Sequence, residues 1–438
     1  MLRWLVVFLI VATSAHADER TFVRERLTDA IRLLDTFRVA ETGQYLDAVH
    51  IGEDDQPDVS SIAATGIGLV SLAMADALGI DDRAEDKARV TLLNLLSRGE
   101  TDFRIRRSRR GWYPHFIDAR TGEATFGSQD RYSTIDTALL SAGAAIAARY
   151  FNAKSFTRGE GESEIFRLAG QVVGGVAWQS AIHDVERGLV HLVFKNTPDD
   201  PRAETPLMNV FANPFDEYAV LPCMAMRGEQ MGRQIGPAHE LFFKHYNRAE
   251  ELPMNDFEGE SVIAKPNGAF IAHFTHLFAY FYCDHFNTQG AYRRELRELA
   301  SADRKWFAKR NFAPSLWGLG AGAEVKFADD GTVERTGYGV NSLSKNPNDT
   351  ASPAIMAGFA AVYRSGEKDD PVADLMALWE AGTCRYEHRG VPFLWRCSAR
   401  DTSHKVRRVE AVDFSTMLLG LAARDPALGM SFFRTFNL

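Results

Sequence analysis

Thr134-Ile-Asp-Thr-Ala-Leu-Leu-Ser-Ala-Gly-Ala-Ala-Ile-Ala-Ala148 is the stretch that decides the fold. Its apolar residues recur at spacings of three and four, and most of the others are Ala, Gly, Ser or Thr, so a helix built from it can pack closely on more than one side. Such a helix belongs to an enclosed inner layer. Ile62–Leu78 and Ala351–Ala361 share this composition, whereas Tyr292–Phe307, with its many Arg and Glu, suits an outer ring.

Outward from that stretch, the same periodicity marks 22–40, 62–79, 84–98, 134–151, 163–182, 215–228, 236–247, 270–286, 290–310, 351–364, 371–381 and 411–423. These twelve candidate helices in succession suggest six helical hairpins. Short β-hairpins are expected only around 190–194 and 322–340. Long polar loops cover 101–132, 185–215 and 311–350, lengths that in a compact domain usually serve function. No Pro/Ser linker or low-complexity tract divides the chain, so 18–438 is expected to be a single domain. Residues 1–17 carry one charge, Arg3, then an apolar run from Trp4 to Ala12 and the small-x-small triplet Ala15-His16-Ala17. This reads as a cleaved secretory leader, too short to span a bilayer, and predicts a periplasmic or secreted protein with no stable membrane anchor after cleavage.

The net charge of −8 argues against general nucleic-acid binding, which depends on neutralising many phosphates. Nothing in the sequence sets the oligomeric state. Of the four cysteines, Cys384 and Cys397 flank a turn that a disulfide could staple, while Cys223 and Cys283 fall in apolar helical patterns and read as buried free thiols.

Chemistry concentrates in Gly111-Trp-Tyr-Pro-His-Phe-Ile-Asp-Ala-Arg-Thr-Gly-Glu-Ala-Thr-Phe126, just ahead of the helix that begins near Ser133. Aromatics, a histidine and carboxylates in a turn-rich segment point to sugar chemistry. Trp112, Tyr113 and His115 offer flat faces and a hydrogen-bonding ring for pyranoses, against the plainer reading that they pack the loop. Arg104, Arg106, Arg107, Arg109 and Arg110 form either a solvated run or a seat for an anionic substituent.

The order of several short motifs resembles the glycoamylase-like group that includes the endo-β-1,2-glucanases, similar to glycoside hydrolase family 144, and the cyclising domain of cyclic β-1,2-glucan synthases. They are Val59-Ser-Ser-Ile-Ala-Ala-Thr-Gly-Ile-Gly68, Gly111-Trp-Tyr-Pro-His-Phe116, Ser133-Thr-Ile-Asp136, Pro214-Phe-Asp-Glu-Tyr218, Gly268-Ala-Phe-Ile-Ala-His273, Leu316-Trp-Gly-Leu319 and Asn348-Asp-Thr-Ala-Ser-Pro-Ala354. The resemblance spans roughly 58–355. It implies an all-α (α/α)6 toroid of alternating inner and outer helices with long loops on the cleft face. It further implies a glycoside hydrolase that cuts β-1,2-glucan internally with inversion and without a metal or other cofactor. The partner is then a glucan oligo- or polysaccharide.

Inversion needs one carboxyl to protonate the leaving oxygen and one carboxylate to activate water. The resemblance places the acid at Asp136, where the glucanases carry Glu. The plainer reading is that Ser133-Thr-Ile-Asp136 is a capping box. For the base, the family's Asp after its Trp-Gly-Leu motif is displaced here, in Trp317-Gly-Leu-Gly-Ala-Gly-Ala-Glu324, so Glu324 on a flexible Gly-rich loop is the first candidate and Asp349 the second. Glu217, His273, Trp317 and Asp413 are expected beside the substrate, with capping an alternative for Asp413 and core packing for His273. Two other functions stay open: a polysaccharide lyase using Tyr, His and Arg, and a non-catalytic glucan-binding or maturation protein, which the displaced Glu324 would favour.

Overall fold

Small side chains let two helices be buried on nearly every side. From Ile62 to Ala75 every residue is buried, and in the helix beginning at Thr134 burial is nearly continuous to Ala148. The computed structural model describes residues 2–197, 200–208, 210–212, 219–231, 235–263, 272–328 and 330–437. Among them are fourteen α-helices: α1 Leu2–Asp35, α2 Ile62–Ala77, α3 Ala84–Leu95, α4 Thr134–Thr157, α5 Glu164–Gly174, α6 Val220–Met231, α7 Pro237–His245, α8 Phe274–Tyr282, α9 Asp284–Thr288, α10 Gly290–Ala308, α11 Pro353–Ala360, α12 Pro371–Glu380, α13 Ala411–Arg424 and α14 Gly429–Phe436. The fold is mainly helical, with small two- and three-stranded sheets. No helix among the described residues is long and apolar enough to cross a membrane.

Contacts run in a closed circuit: α2 on α4, α4 on α6, α6 on α8, α8 on α11, α11 on α13, and α13 back on α2. Two glycines make the tightest crossings. A Cβ at Gly143 on α4 would stand 2.0 Å from the carbonyl oxygen of Gly66 on α2, and one at Gly420 on α13 would stand 1.9 Å from that of Ala357 on α11. Any side chain there must push two backbones apart. α3, α5, α7, α10 and α12 each pack against a member of the circuit, and α1 and α14 each against two.

Short strands lead into the circuit helices. Val59–Ser61 runs into α2, Arg131–Ser133 into α4 and Arg408–Glu410 into α13, each paired antiparallel with a distant segment: 116–118, 193–195 and 48–50 respectively. These pairings fix where each helix begins. The expected hairpin at 322–340 is present as Ala321–Phe327 against Val333–Val340. Around 190–194 two hairpins meet: Leu189–His191 pairs with 182–184 and also with 211–212, while Val193–Thr197 pairs with 200–206 and also with 131–133.

One cysteine reading changes, that of Cys223 and Cys283 as free thiols, and the staple offered for Cys384 and Cys397 is present. Cys223 on α6 and Cys283 at the end of α8 are joined across the α6–α8 contact, and Cys384 is joined to Cys397. The helix expected over 270–286 is broken at Cys283, whose extended backbone separates α8 from α9.

Candidate active site

A cleft of about 600 Å³ opens where α2, α4, α8 and α13 begin. Its walls carry four carboxylates, Asp47, Asp136, Glu410 and Asp413, together with His115, Arg131, Arg408, Tyr338 and the aromatic rings of Phe116, Phe126, Phe274 and Phe278. Four acids so close cannot all ionise without large repulsion, so the site favours holding at least one proton.

Two of these acids occupy equivalent places. Asp136 stands three residues after Ser133, the N-cap of α4, and Asp413 three residues after Glu410, the N-cap of α13. The capping-box reading of Asp136 is only half met. The Ser133 hydroxyl accepts from the Asp136 N–H at 3.3 Å and donates to its carboxylate, but the Ser133 N–H donates to the Tyr113 carbonyl at 2.9 Å. With that donor taken, the Asp136 carboxylate faces the cleft, and its Oδ1 lies 3.5 Å from His115 Nε2.

Asp413 does not cap α13 either. Its carboxylate accepts from the Tyr338 hydroxyl at 3.1 Å. Burial first, then the neighbouring Glu410, push its pKa up to about 8 against the opposing pull of Arg396. Glu410 turns away from its own helix: Oε2 accepts from the Ala323 N–H at 2.9 Å and Oε1 lies 3.0 Å from Arg408 Nε. Asp47 lies 3.3 Å from Arg408. Burial raises the pKa of both Glu410 and Asp47, and Arg408 opposes that rise.

The remaining expected site residues lie elsewhere. Glu324 is 3% exposed and lies outside the cleft lining. Its Oε1 accepts from Asn348 at 2.7 Å, and its Oε2 from Asn341 at 3.0 Å and from Thr350 and Arg396 at 3.3 Å. The flexible loop expected to carry it is a paired strand, which removes the freedom needed to swing it into the cleft. Asp349 is drawn off by Arg400 at 2.5 Å and Arg310 at 3.6 Å.

Trp112 is fully buried against Trp178 and Phe194, with Nε1 donating to Ser180. Tyr113 is buried beside it, so of the three expected binders only His115 lines the cleft. Trp317 is core, donating to Asp374 beneath Arg304, and His273 is core, with Nε2 3.3 Å from Asp303. Burial lowers the pKa of its neighbour His276 to about 3. Glu217 lies outside the described residues. None of the arginines at 104–110 lines the cleft. Arg106 donates to the Gln129 carbonyl and Arg107 to the Tyr113 hydroxyl, Arg109 pairs with Asp200, and Arg110 lies 3.8 Å from Glu204.

Sequence reasoning missed Asp47, Glu410, Phe116, Phe126 and Tyr338. A signal existed for Glu410, because Glu410-Ala-Val-Asp413 repeats the spacing of Ser133-Thr-Ile-Asp136. Asp47 has none, since only the pairing of 48–50 with 408–410 brings it there.

No family model and no curated protein matches the sequence. The fold, however, is shared with solved structures. A Bacteroides caccae protein provisionally named a glucoamylase gives a TM-score of 0.72 at 14% identity, covering 95% of each chain. An endo-β-1,2-glucanase from Chitinophaga pinensis, solved with sophorotriose and glucose, gives 0.70 at 14% identity over 95% of this chain and 94% of that one. The endo-β-1,2-glucanase of Talaromyces funiculosus, solved with sophorose, gives 0.63 at 12% identity over 93% and 85%. At such identities the likeness establishes a common fold and leaves the reaction to be argued from the cleft.

Proposed function

We propose that this protein is an exported glycoside hydrolase, an (α/α)6 toroid that cuts β-1,2-linked glucan internally with inversion. The observation that carries the reading is a cleft bearing two carboxylates at matching positions on different helices, one of them holding a proton near neutral pH. Glycoside hydrolysis needs that pairing. The closed circuit of six helices suits a toroid, and two disulfides suit an oxidising compartment.

Asp413 is the proton donor in this scheme. Its buried, acid-flanked position keeps the carboxyl neutral until it protonates the departing glycosidic oxygen. Asp136, whose Oδ1 lies 3.5 Å from His115 Nε2, is the base that takes a proton from the attacking water. This exchanges the role expected for Asp136 from the sequence. His115 beside Asp136 orients that water, and Arg408 moderates the charge of Asp47 and Glu410. A lyase reading is disfavoured by the same acids, which would repel a uronate chain, and by Tyr338, whose hydroxyl donates to Asp413.

Incubation with β-1,2-, β-1,3-, β-1,4- and β-1,6-glucans tests the proposal. Oligosaccharides released from the β-1,2 polymer alone, with the α-anomer appearing first by NMR, are the expected result. Four intact glucans alongside uronate polymers that gain ultraviolet absorbance would replace hydrolysis with elimination.

A further inference from the structure

Phe126 sits on the cleft rim in a conformation that L side chains avoid. Its φ is +49° and the residue is 70% exposed, yet it lines the cleft. A left-handed backbone at a bulky residue costs roughly 1–2 kcal/mol, and an exposed phenyl ring gains nothing from burial to offset it. Met208 and Ile235 are more exposed, but they lie away from the cleft.

The turn that holds Phe126 is pinned to Phe116. Thr125 N–H donates to the Phe116 carbonyl at 3.0 Å, Ser128 N–H donates to the Thr125 carbonyl at 2.9 Å, and the Ser128 hydroxyl accepts from the Phe116 N–H at 3.2 Å. From there, rings lead inward. Phe126 meets Phe116 edge-on at 6.4 Å, Phe116 stacks on His115 at 3.7 Å, and His115 reaches Asp136.

We infer that Phe126, backed by Phe116, is a stacking platform for a glucosyl ring remote from the bond that is cut, on the Asp136 side of the cleft. A pyranose presents an apolar C–H face that suits an exposed phenyl ring, and a neutral sugar is not repelled by the acids beyond it. The inference rests on the proposed glucan-binding reading. It adds a subsite filled only by longer chains.

Two variants test it on the full-length protein, with β-1,2-gluco-oligosaccharides of increasing length as probes. Asn tolerates the left-handed conformation, so F126N relieves strain while removing the ring. Expected for F126N are an unchanged or higher melting temperature, a KM about tenfold higher for long chains with kcat kept, and no change for the shortest oligosaccharide cleaved. F126W should restore the KM. An F126N enzyme whose KM is unchanged at every length, or whose kcat falls equally at every length, overturns the platform.

Calorimetric titration separates this from the parent reading. If the protein binds long oligosaccharides without cutting them and F126N weakens that binding, the platform stands and hydrolysis falls. If wild type cuts and F126N cuts identically, hydrolysis stands and the platform falls. Absence of both binding and cutting overturns both.

Discussion

Glu324 and Asp413 are both nearly inaccessible carboxylates, and their surroundings differ in one respect. Glu324 is met by two amides, a hydroxyl and a guanidinium, whereas Asp413 receives one tyrosine hydroxyl and has Glu410 and Asp47 for neighbours. The first arrangement satisfies a negative charge and makes Glu324 a structural anchor. The second leaves a charge poorly supported and makes Asp413 hold a proton. Burial by itself says nothing about catalysis; the supply of donors around the buried acid does.

The sharpest way to break this contrast is to neutralise both kinds of acid. D413N and D136N should each lower kcat on β-1,2-glucan by about 10²- to 10⁴-fold with the fold kept, and D413N should melt at or above wild type at neutral pH because Asn carries no proton-linked penalty. An active D413N beside a folded but inert E324Q would invert the assignment. Next in size, E324A leaves Arg396 buried without its carboxylate and should destabilise the fold by about 3–5 kcal/mol in urea unfolding, with kcat of the folded fraction kept within a few-fold.

Titration sharpens the contrast further. Activity should fall as pH rises through about 8, where Asp413 loses its proton. Because the raised pKa means that the folded state binds this proton more tightly than the unfolded chain, stability should decline from about pH 4 to about pH 8 and then level. D413N should remove that slope, and a slope equal to wild type would contradict the proton on Asp413. Smallest is Y338F. It deletes the one hydroxyl that favours ionised Asp413 and should move the alkaline limb of the activity profile upward by about one pH unit or less.

Three helices of the circuit, α2, α4 and α11, were legible because their composition is unusual: Gly66, Gly143 and Gly358 lie in small-residue stretches that suit close packing. The break between α8 and α9 inside 270–286 was not marked, and neither was α14, although its eight residues equal those of α11. The site was half legible. Asp136, His115 and Asp413 carry local signs, a helix start or an aromatic segment, and they line the cleft. Trp112, Trp317 and His273 carry the same kind of sign and are core, because an aromatic residue near a loop packs inward or outward according to neighbours that local sequence does not name.

What this sequence determined unaided is a mainly helical chain, the small-residue helices at 62–78, 134–148 and 351–361, and the helix start at Ser133 that carries an acid three residues on. Only the tertiary structure decided which acids share a cleft, that Glu324 is caged and that Cys223 meets Cys283. Those facts depend on strand pairings and helix contacts between residues far apart in the chain. Proton affinity in particular is a property of the assembled surroundings: Asp413 differs from any other aspartate only through what folding places beside it.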